Sequence, residues 1–281
     1  MLEGPINADL HCHSSISDGL LTAAAVVRRA AANGVELLAL TDHDDVSGLA
    51  EAQRVAAESS VRFVAGVEVS VTWEDATVHV VGLGVDPANP ALNAGLTCIR
   101  EGRVERAGRM AAELEAIGIH GALVGAMRHA RNAKIIGRTH FARYLVEQHA
   151  APDVKSVFDH YLARGKPGFV MHRWAALPDA LRWILDAGGM AVLAHPGRYR
   201  VGRAAMHRLV AEFKDCGGGG VEVVTGAHDA ERIRDFAGVA RTFGLLASRG
   251  SDFHGPGESP FDLGRMSALP DGLVPVWTRL I

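Results

Sequence analysis

The segments ADLHCHSSISDG (8–19) and ELLALTDHDD (36–45) each carry a short apolar run into a knot of imidazoles and carboxylates. Side chains on an extended chain alternate with period two, so His11 and His13 share one face if residues 8–13 are extended. Cys12, between them, then points the other way, into the core. The pattern recurs. RFVAGVEVSV (62–71) places Glu68 inside a strand, TVHVVGLGV (77–85) does the same for His79, and MAVLAHPG (190–197) ends on His195 before a strand-closing proline. LLASRGSDFHG (245–255) sets Asp252 and His254 two apart, on one face. With Asp18 and His43, the candidate metal ligands number nine: His11, His13, Asp18, His43, Glu68, His79, His195, Asp252 and His254.

Helical signals lie between these strands. Strand 8–12 leads to a helix over 22–33 that stops at Asn33-Gly34, then strand 36–41 and a helix over 47–59 with Ser47 as candidate N-cap. Strands 61–71 and 77–85 follow. Residues 97–168 lose strand character and become basic and helical, after which helices 178–187, 203–215 and 229–243 alternate with strands 190–194, 220–224 and 245–249. Strands alternating with helices predict an α/β fold with a parallel sheet. Ligands at the carboxyl ends of many such strands favour a closed barrel, which gathers all strand ends around one cavity, over an open sheet. The expected organisation is a barrel domain from 1–96 and 169–281, with 97–168 as a helical insertion capping the substrate site. GGGGV (217–221) reads as a turn into a strand and not as a dinucleotide fingerprint.

Composition permits this architecture and narrows the chemistry. A chain of 281 residues, 48% hydrophobic, can bury a barrel-sized core. A net charge of −3 supplies no basic field for long nucleic acid. Three scattered cysteines, Cys12, Cys98 and Cys216, fit a reducing cytoplasm and no disulfide framework. The first residues lack the regions of a signal peptide, and no apolar run reaches the ~18 residues of a membrane helix, so a cytoplasmic protein is expected.

Lone histidines such as His120, His149, His160 and His207 read as ordinary surface or core residues. The clustered set is different, because a mixed group of imidazoles and carboxylates this large exceeds what one ion needs. A second constellation, RHARNAKIIGRTHFAR (128–143), concentrates Arg128, His129, Arg131, Lys134, Arg138, His140 and Arg143. If Arg138 opens a helix, it and nearby backbone N–H groups can grip a phosphate; the bland alternative is a solvated basic face. Arg198, directly after HPG, is another phosphate candidate. His228 either lines the cavity or faces solvent. Trp73, Trp174 and Trp183 are assigned to core packing ahead of base stacking.

Taken in order, HCH…D, TDHD, GVEVS, HVVG, AHPGR and GSDFHG resemble the motifs of the polymerase and histidinol phosphatase (PHP) family of metal-dependent phosphoesterases, from Asp9 to about Gly257. The resemblance implies a distorted seven-stranded (β/α) TIM-like barrel with two or three divalent ions, Mn2+ foremost and Zn2+ or Fe2+ as alternatives. It implies that His11, His13, Glu68 and Asp252 hold one ion, that Glu68 bridges to a second with His79 and His195, and that Asp18, His43 and His254 hold a third. Glu68, His195 and Asp252 then stand closest to the chemistry, attack on phosphorus by a metal-bridging hydroxide. An IGR-x-H stretch recurs in similar sequences, which favours Arg138 and His140 as substrate contacts; Lys134, Arg198 and His228 are further candidates for that role.

A barrel with a helical insertion of this size looks most like the branch of nucleoside 3′,5′-bisphosphate phosphatases, whose reaction converts pAp to AMP and phosphate. The alternative is a 5′→3′ exoribonuclease on short 5′-phosphorylated oligonucleotides. Histidinol-phosphate phosphatase, a deacetylase or other amidohydrolase, and a non-catalytic metal-binding accessory module are further alternatives.

Overall fold

The computed structural model describes residues 6–280. Its elements run β1 (Ala8–Asp9), α1 (Ala23–Ala32), β2 (Leu37–Leu40), α2 (Leu49–Ala56), β3 (Arg62–Trp73), β4 (Ala76–Leu83), α3 (Pro90–Ala116), α4 (Ala122–His129), α5 (Arg138–Glu147) and α6 (Val154–Val157). They continue through β5 (Ala175–Ala176), α7 (Leu177–Asp186), β6 (Met190–Leu193), α8 (Arg203–Asp215), β7 (Gly220–Thr225), α9 (Ala230–Phe243) and β8 (Leu246–Gly250). The main sheet order is β1-β2-β3-β4-β6-β7-β8, and β5 is a short addition to β3. This is the distorted TIM-like barrel expected of the sequence.

Closure is achieved without a ladder between the first and last strands. Leu10 N–H donates to Arg249 O at 3.0 Å and Asp252 N–H to His11 O at 2.8 Å. Only glycine fits at Gly250, where a Cβ would lie 2.3 Å from the His11 Cβ. The buried Arg249 guanidinium donates to Met266 O at 2.6 Å and Ser267 O at 2.8 Å, and also to Ala8 O, tying the C-terminal segment across the seam.

Two apolar layers flank the strands. Leu10, Leu37, Ala39, Val64, Val81, Leu83, Val192 and Ala194, on the strands or one residue beyond them, form one buried cluster, while Val26, Val27, Leu38 and Leu40 pack with α2 on another. Both faces of β2 are therefore buried, which is why it reads as an unbroken apolar run.

Three expectations are corrected. The sheet is not wholly parallel: β4 runs antiparallel to both β3 and β6, because only Glu74 and Asp75 separate it from β3 and so short a link joins antiparallel strands. Glu74 takes up the turn with a φ of 49°. Ser47 is not the N-cap of α2, which starts at Leu49 with Gly48 in that position and no side-chain cap. The helical region begins earlier than residue 97, where Asn89 caps α3 by accepting from Leu92 N–H and Pro90 occupies the first turn. Helices α3 to α6 carry their own apolar cluster around Met110, Leu114, Phe141 and Leu145.

Candidate metal centre and anion pocket

All nine candidate ligands converge. Each belongs to at least one group whose ligand atoms lie within 4.8 Å of one another: His13, Asp18, His43 and His254; His11, His195 and Asp252; His11, His13 and Glu68; His43, Glu68 and His79. Glu68 is the hub. Its Oε1 lies 2.8 Å from His79 Nδ1 and 2.9 Å from His195 Nε2, and its Oε2 lies 2.8 Å from His43 Nδ1 and 3.3 Å from His11 Nε2. The grouping differs from the expected partition, since His13 falls with Asp18, His43 and His254 as well as with Glu68.

The donor set fits divalent cations. Glu68 is fully buried among imidazoles, and Asp18 Oδ1, His43 Nδ1, Glu68 Oε2 and His195 Nδ1 lack hydrogen-bond partners among the described residues. His43 Nδ1 and Glu68 Oε2 approach closely without hydrogen-bond geometry. Polar atoms left this way inside a protein are costly unless a cation completes them.

The electrostatics of the bare cluster are lopsided. Burial, reinforced by His254 and His43, pushes His13 down to about 3, and burial pushes His79 down to about 4. At His254 burial is outweighed by Asp18 and Asp252, which raise it to about 9. Burial opposes ionisation of Asp18 and Glu68, yet the surrounding imidazoles hold both well below the usual carboxylate range. Without an ion, Asp18, Glu68 and Asp252 are anions, His13 and His79 stay neutral, and their carboxylate neighbours raise His254, His11 and His43; a cation entering the cluster would take over that charge balance by displacing protons.

Local structure explains the convergence. His11 and His13 follow β1, and their Nε2 atoms lie 3.2 Å apart, while Cys12 turns into the core beside Ala39 O. The sharp turns carrying three polar residues are held in the left-handed region: Asp44 at φ 48°, His195 at 24° and Asp252 at 56°. Asp252 and His254 therefore lie beyond β8 and not on an extended strand face. Among the acids of TDHDD, Asp42 accepts from the N–H and O–H groups of both Ser14 and Ser17, bracing the loop that carries His13 and Asp18. Asp44 accepts from Ser70 and Arg103.

The anion-binding candidates divide. Arg138 lines the cavity beside Asp18, His43, His79 and His254, with its guanidinium over the Phe158 ring at 5.4 Å. Arg198 lines it too, donating to Asp252 Oδ2 at 2.7 Å. His140 is buried and its Nδ1 accepts from Gly137 N–H at 3.1 Å, capping α5 instead of reaching the cavity. His228 is likewise committed: Nδ1 meets Val223 O at 3.0 Å and Nε2 accepts from Gly197 N–H at 3.0 Å, which leaves neither nitrogen for substrate. Lys134 is exposed on a short turn before α5, away from the cavity walls. Arg128 and His129 pair with Glu147 on the surface, and Arg143 pairs with Glu258.

Sequence reasoning missed Arg103, Arg106 and Thr139. Arg103 and Arg106, three apart on α3, stack on Trp174 at 5.0 and 5.4 Å and line the same cavity. Trp73 and Trp183 pack in the core as expected, but Trp174 is a cavity wall. Thr139 Oγ1 donates to Asp18 Oδ2 at 2.8 Å. The i, i+3 spacing of Arg103 and Arg106 was visible, but nothing local ties α3 to the metal cluster.

Residues 9–191 match the PHP domain. A 3′,5′-nucleoside bisphosphate phosphatase of Chromobacterium violaceum is 55% identical over 274 residues, covering 98% of this chain and 96% of that protein. The 5′-3′ exoribonuclease Rnm of Escherichia coli is 42% identical over 272 residues, covering 96% and 92%. A solved amidohydrolase structure from C. violaceum, with bound sulfate and no metal, superposes with a TM-score of 0.95 at 55% identity, covering 98% of this chain and 95% of that one. The fold, the converging histidines and carboxylates and these likenesses agree: the chain belongs to the PHP-domain family.

Proposed function

We propose that this protein is a metal-dependent phosphoesterase that removes the 3′-phosphate from nucleoside 3′,5′-bisphosphates, converting pAp to AMP and phosphate, with Mn2+ as the preferred ion. Arg106 and Arg138 carry this reading. Neither has a carboxylate partner among the described residues, and both line the cavity that holds the metal-ligand cluster. Burial and then the neighbouring guanidinium lower Arg106 to about 9; burial, then Arg198 and Arg103, lower Arg138 to about 10. Both remain cationic at neutral pH. Two guanidiniums without carboxylate partners on the wall of one cavity invite a dianion, and a bisphosphate offers one phosphate to them and the other to the cluster. The 55% identical phosphatase of C. violaceum supports the substrate class.

Divalent ions in this cluster would acidify a water and neutralise charge on the phosphate oxygens. His11, His13, Asp18, His43, Glu68, His79, His195, Asp252 and His254 would hold them. The remaining work belongs to positioning. Arg198 orients Asp252, Thr139 orients Asp18, and Tyr199 accepts from His79 N–H at 2.9 Å while donating to Ala194 O at 2.6 Å, which fixes the two histidine-bearing strands together. Phosphoryl transfer asks chiefly for such positioning and positive charge.

A specific feature favours exonucleolytic cleavage of short 5′-phosphorylated RNA as the second reading. Beyond Phe158 and Arg198 the cavity continues into a trough of about 840 Å³ bordered by Lys155, Gly226 and Pro260, with room for more than a leaving phosphate. Manganese-loaded protein offered pAp, 5′-phosphorylated RNA, the same RNA with a 5′-hydroxyl, and histidinol phosphate separates these readings. Phosphate release from pAp is expected; failure to hydrolyse any nucleotide contradicts the proposal.

A further inference from the structure

We infer that Glu222 is a positioning residue for the metal centre, fixing which nitrogen of His11 faces the ion and holding the His195 turn in place; the inference rests on reading the nine-residue cluster as a metal site. Glu222 is buried, and its two oxygens serve two different ligands. Oε1 lies 2.7 Å from His11 Nδ1, and Oε2 accepts from His195 N–H at 2.5 Å. No other described residue reaches both a ligand's ring and a ligand's backbone through one carboxylate.

Each contact has a consequence. A carboxylate only accepts, so His11 Nδ1 carries a proton, and Nε2 is the nitrogen left to bind an ion. That nitrogen faces His13 Nε2 at 3.2 Å, Glu68 Oε2 at 3.3 Å and Asp252 Oδ1 at 3.6 Å. On the other side, His195 adopts φ 24° and ψ 56°, a conformation costly for a residue with a Cβ. Its N–H is anchored by Glu222, and its ring thereby meets Glu68.

The strand is shaped for the task. Between Glu222 and Val224 the pairing of β7 with β8 shifts register, leaving Val223 as an extra residue. Bulges of this kind re-aim side chains beside active sites. His228 ties the bulge to the ligand turn, since it meets Val223 O on one nitrogen and Gly197 N–H on the other.

Glu222→Gln keeps the volume and reverses the logic. The amide oxygen is claimed by His195 N–H, so the amide nitrogen donates to His11 Nδ1 and the proton moves to Nε2, the metal-facing atom. Mn2+ binding to the full chain, measured by titration calorimetry without substrate, is expected to weaken about 10- to 100-fold at its tightest site in E222Q. The metal-free proteins are expected to melt within a few degrees of each other. In the zinc-loaded wild type, long-range 1H–15N spectra are expected to place the His11 proton on Nδ1. Equal Mn2+ affinity in wild type and E222Q, or a proton on Nε2 in the wild type, overturns the inference, as does weaker binding by an E222Q that folds but is so destabilised that partial unfolding accounts for the loss. Should E222Q not fold, Glu222→Asp withdraws the anion by one methylene and is expected to weaken Mn2+ binding; unchanged binding there overturns the inference equally. A wild type that binds no Mn2+, Zn2+ or Fe2+ instead overturns the metal-centre reading itself.

Discussion

Arg198 Nη1 donates to Asp252 Oδ2 across 2.7 Å, while the other oxygen of that carboxylate faces His13 Nε2 at 3.3 Å. One carboxylate therefore joins the loop after β6 to the ligand cluster. Replacing Arg198 by alanine frees this carboxylate and removes a cation from the cavity, so kcat/KM is expected to fall about 10- to 100-fold, or about 1.4–2.7 kcal/mol in transition-state stabilisation. Lysine restores only part, because an ammonium cannot present the planar fork. Steady-state kinetics on pAp measure both, and wild-type kcat/KM in Arg198→Ala removes the residue from the account.

Arg106→Ala and Arg138→Ala test the distal-phosphate grip. Each is expected to raise KM for pAp about 10-fold or more, the worth of a charged hydrogen bond to a phosphate. Neither is expected to change kcat/KM for 3′-AMP, which has no second phosphate. A parallel loss on both substrates places these guanidiniums on the scissile phosphate instead.

Metal should stabilise the fold as well as serve chemistry. A ligand at 100 times its Kd that binds only the native state adds about 2.7 kcal/mol. Scanning calorimetry with saturating Mn2+ and after chelation is expected to separate the two melting temperatures by several degrees. Coincident melts contradict a preformed metal site.

His140 sets a pH dependence of stability. Burial lowers its folded value to about 4, against 6.5 when unfolded, and Nδ1 must stay unprotonated to accept from Gly137 N–H. The unfolded chain then binds more protons between these values, so this stability is present above pH 6.5 and is lost as pH falls toward 4. Urea unfolding at pH 7 and pH 5 is expected to differ by about 2 kcal/mol more in the wild type than in His140→Gln. Identical differences remove His140 as the source.

Gly95 sets the contact between α3 and α7. Alanine gains about 1 kcal/mol of helix propensity over glycine, but its Cβ would lie 2.4 Å from the Trp183 ring. Overpacking of this kind costs about 1–3 kcal/mol. Gly95→Ala is therefore expected to lower stability in denaturant titration, whereas Gly108→Ala, which meets no neighbour, is expected to raise it slightly.

Much of the centre was legible because its signals are local. His11 and His13, Asp252 and His254, and the acids after β2 stand within a few residues of an apolar strand end, so strand period and barrel geometry suffice to bring them together. The antiparallel β4 was not read, although the two-residue link at Glu74 and Asp75 held the information. The anion pocket was read only in part. Arg138 lies in an evidently basic stretch, yet most of that stretch is solvated or structural, and the second guanidinium comes from Arg106, on a helix whose approach to the cluster depends on tertiary packing against Trp174. Glu222 sat unnoticed inside an apolar strand, where one carboxylate among valines was its only mark.

The ratio of kcat/KM for pAp to that for 3′-AMP, measured with the manganese-loaded protein, tests the central claim most directly. A cavity that pairs a metal cluster with the free guanidiniums of Arg106 and Arg138 predicts a ratio of at least about 100, from two charged contacts to the distal phosphate. A ratio near one, or no phosphate released from pAp, contradicts it.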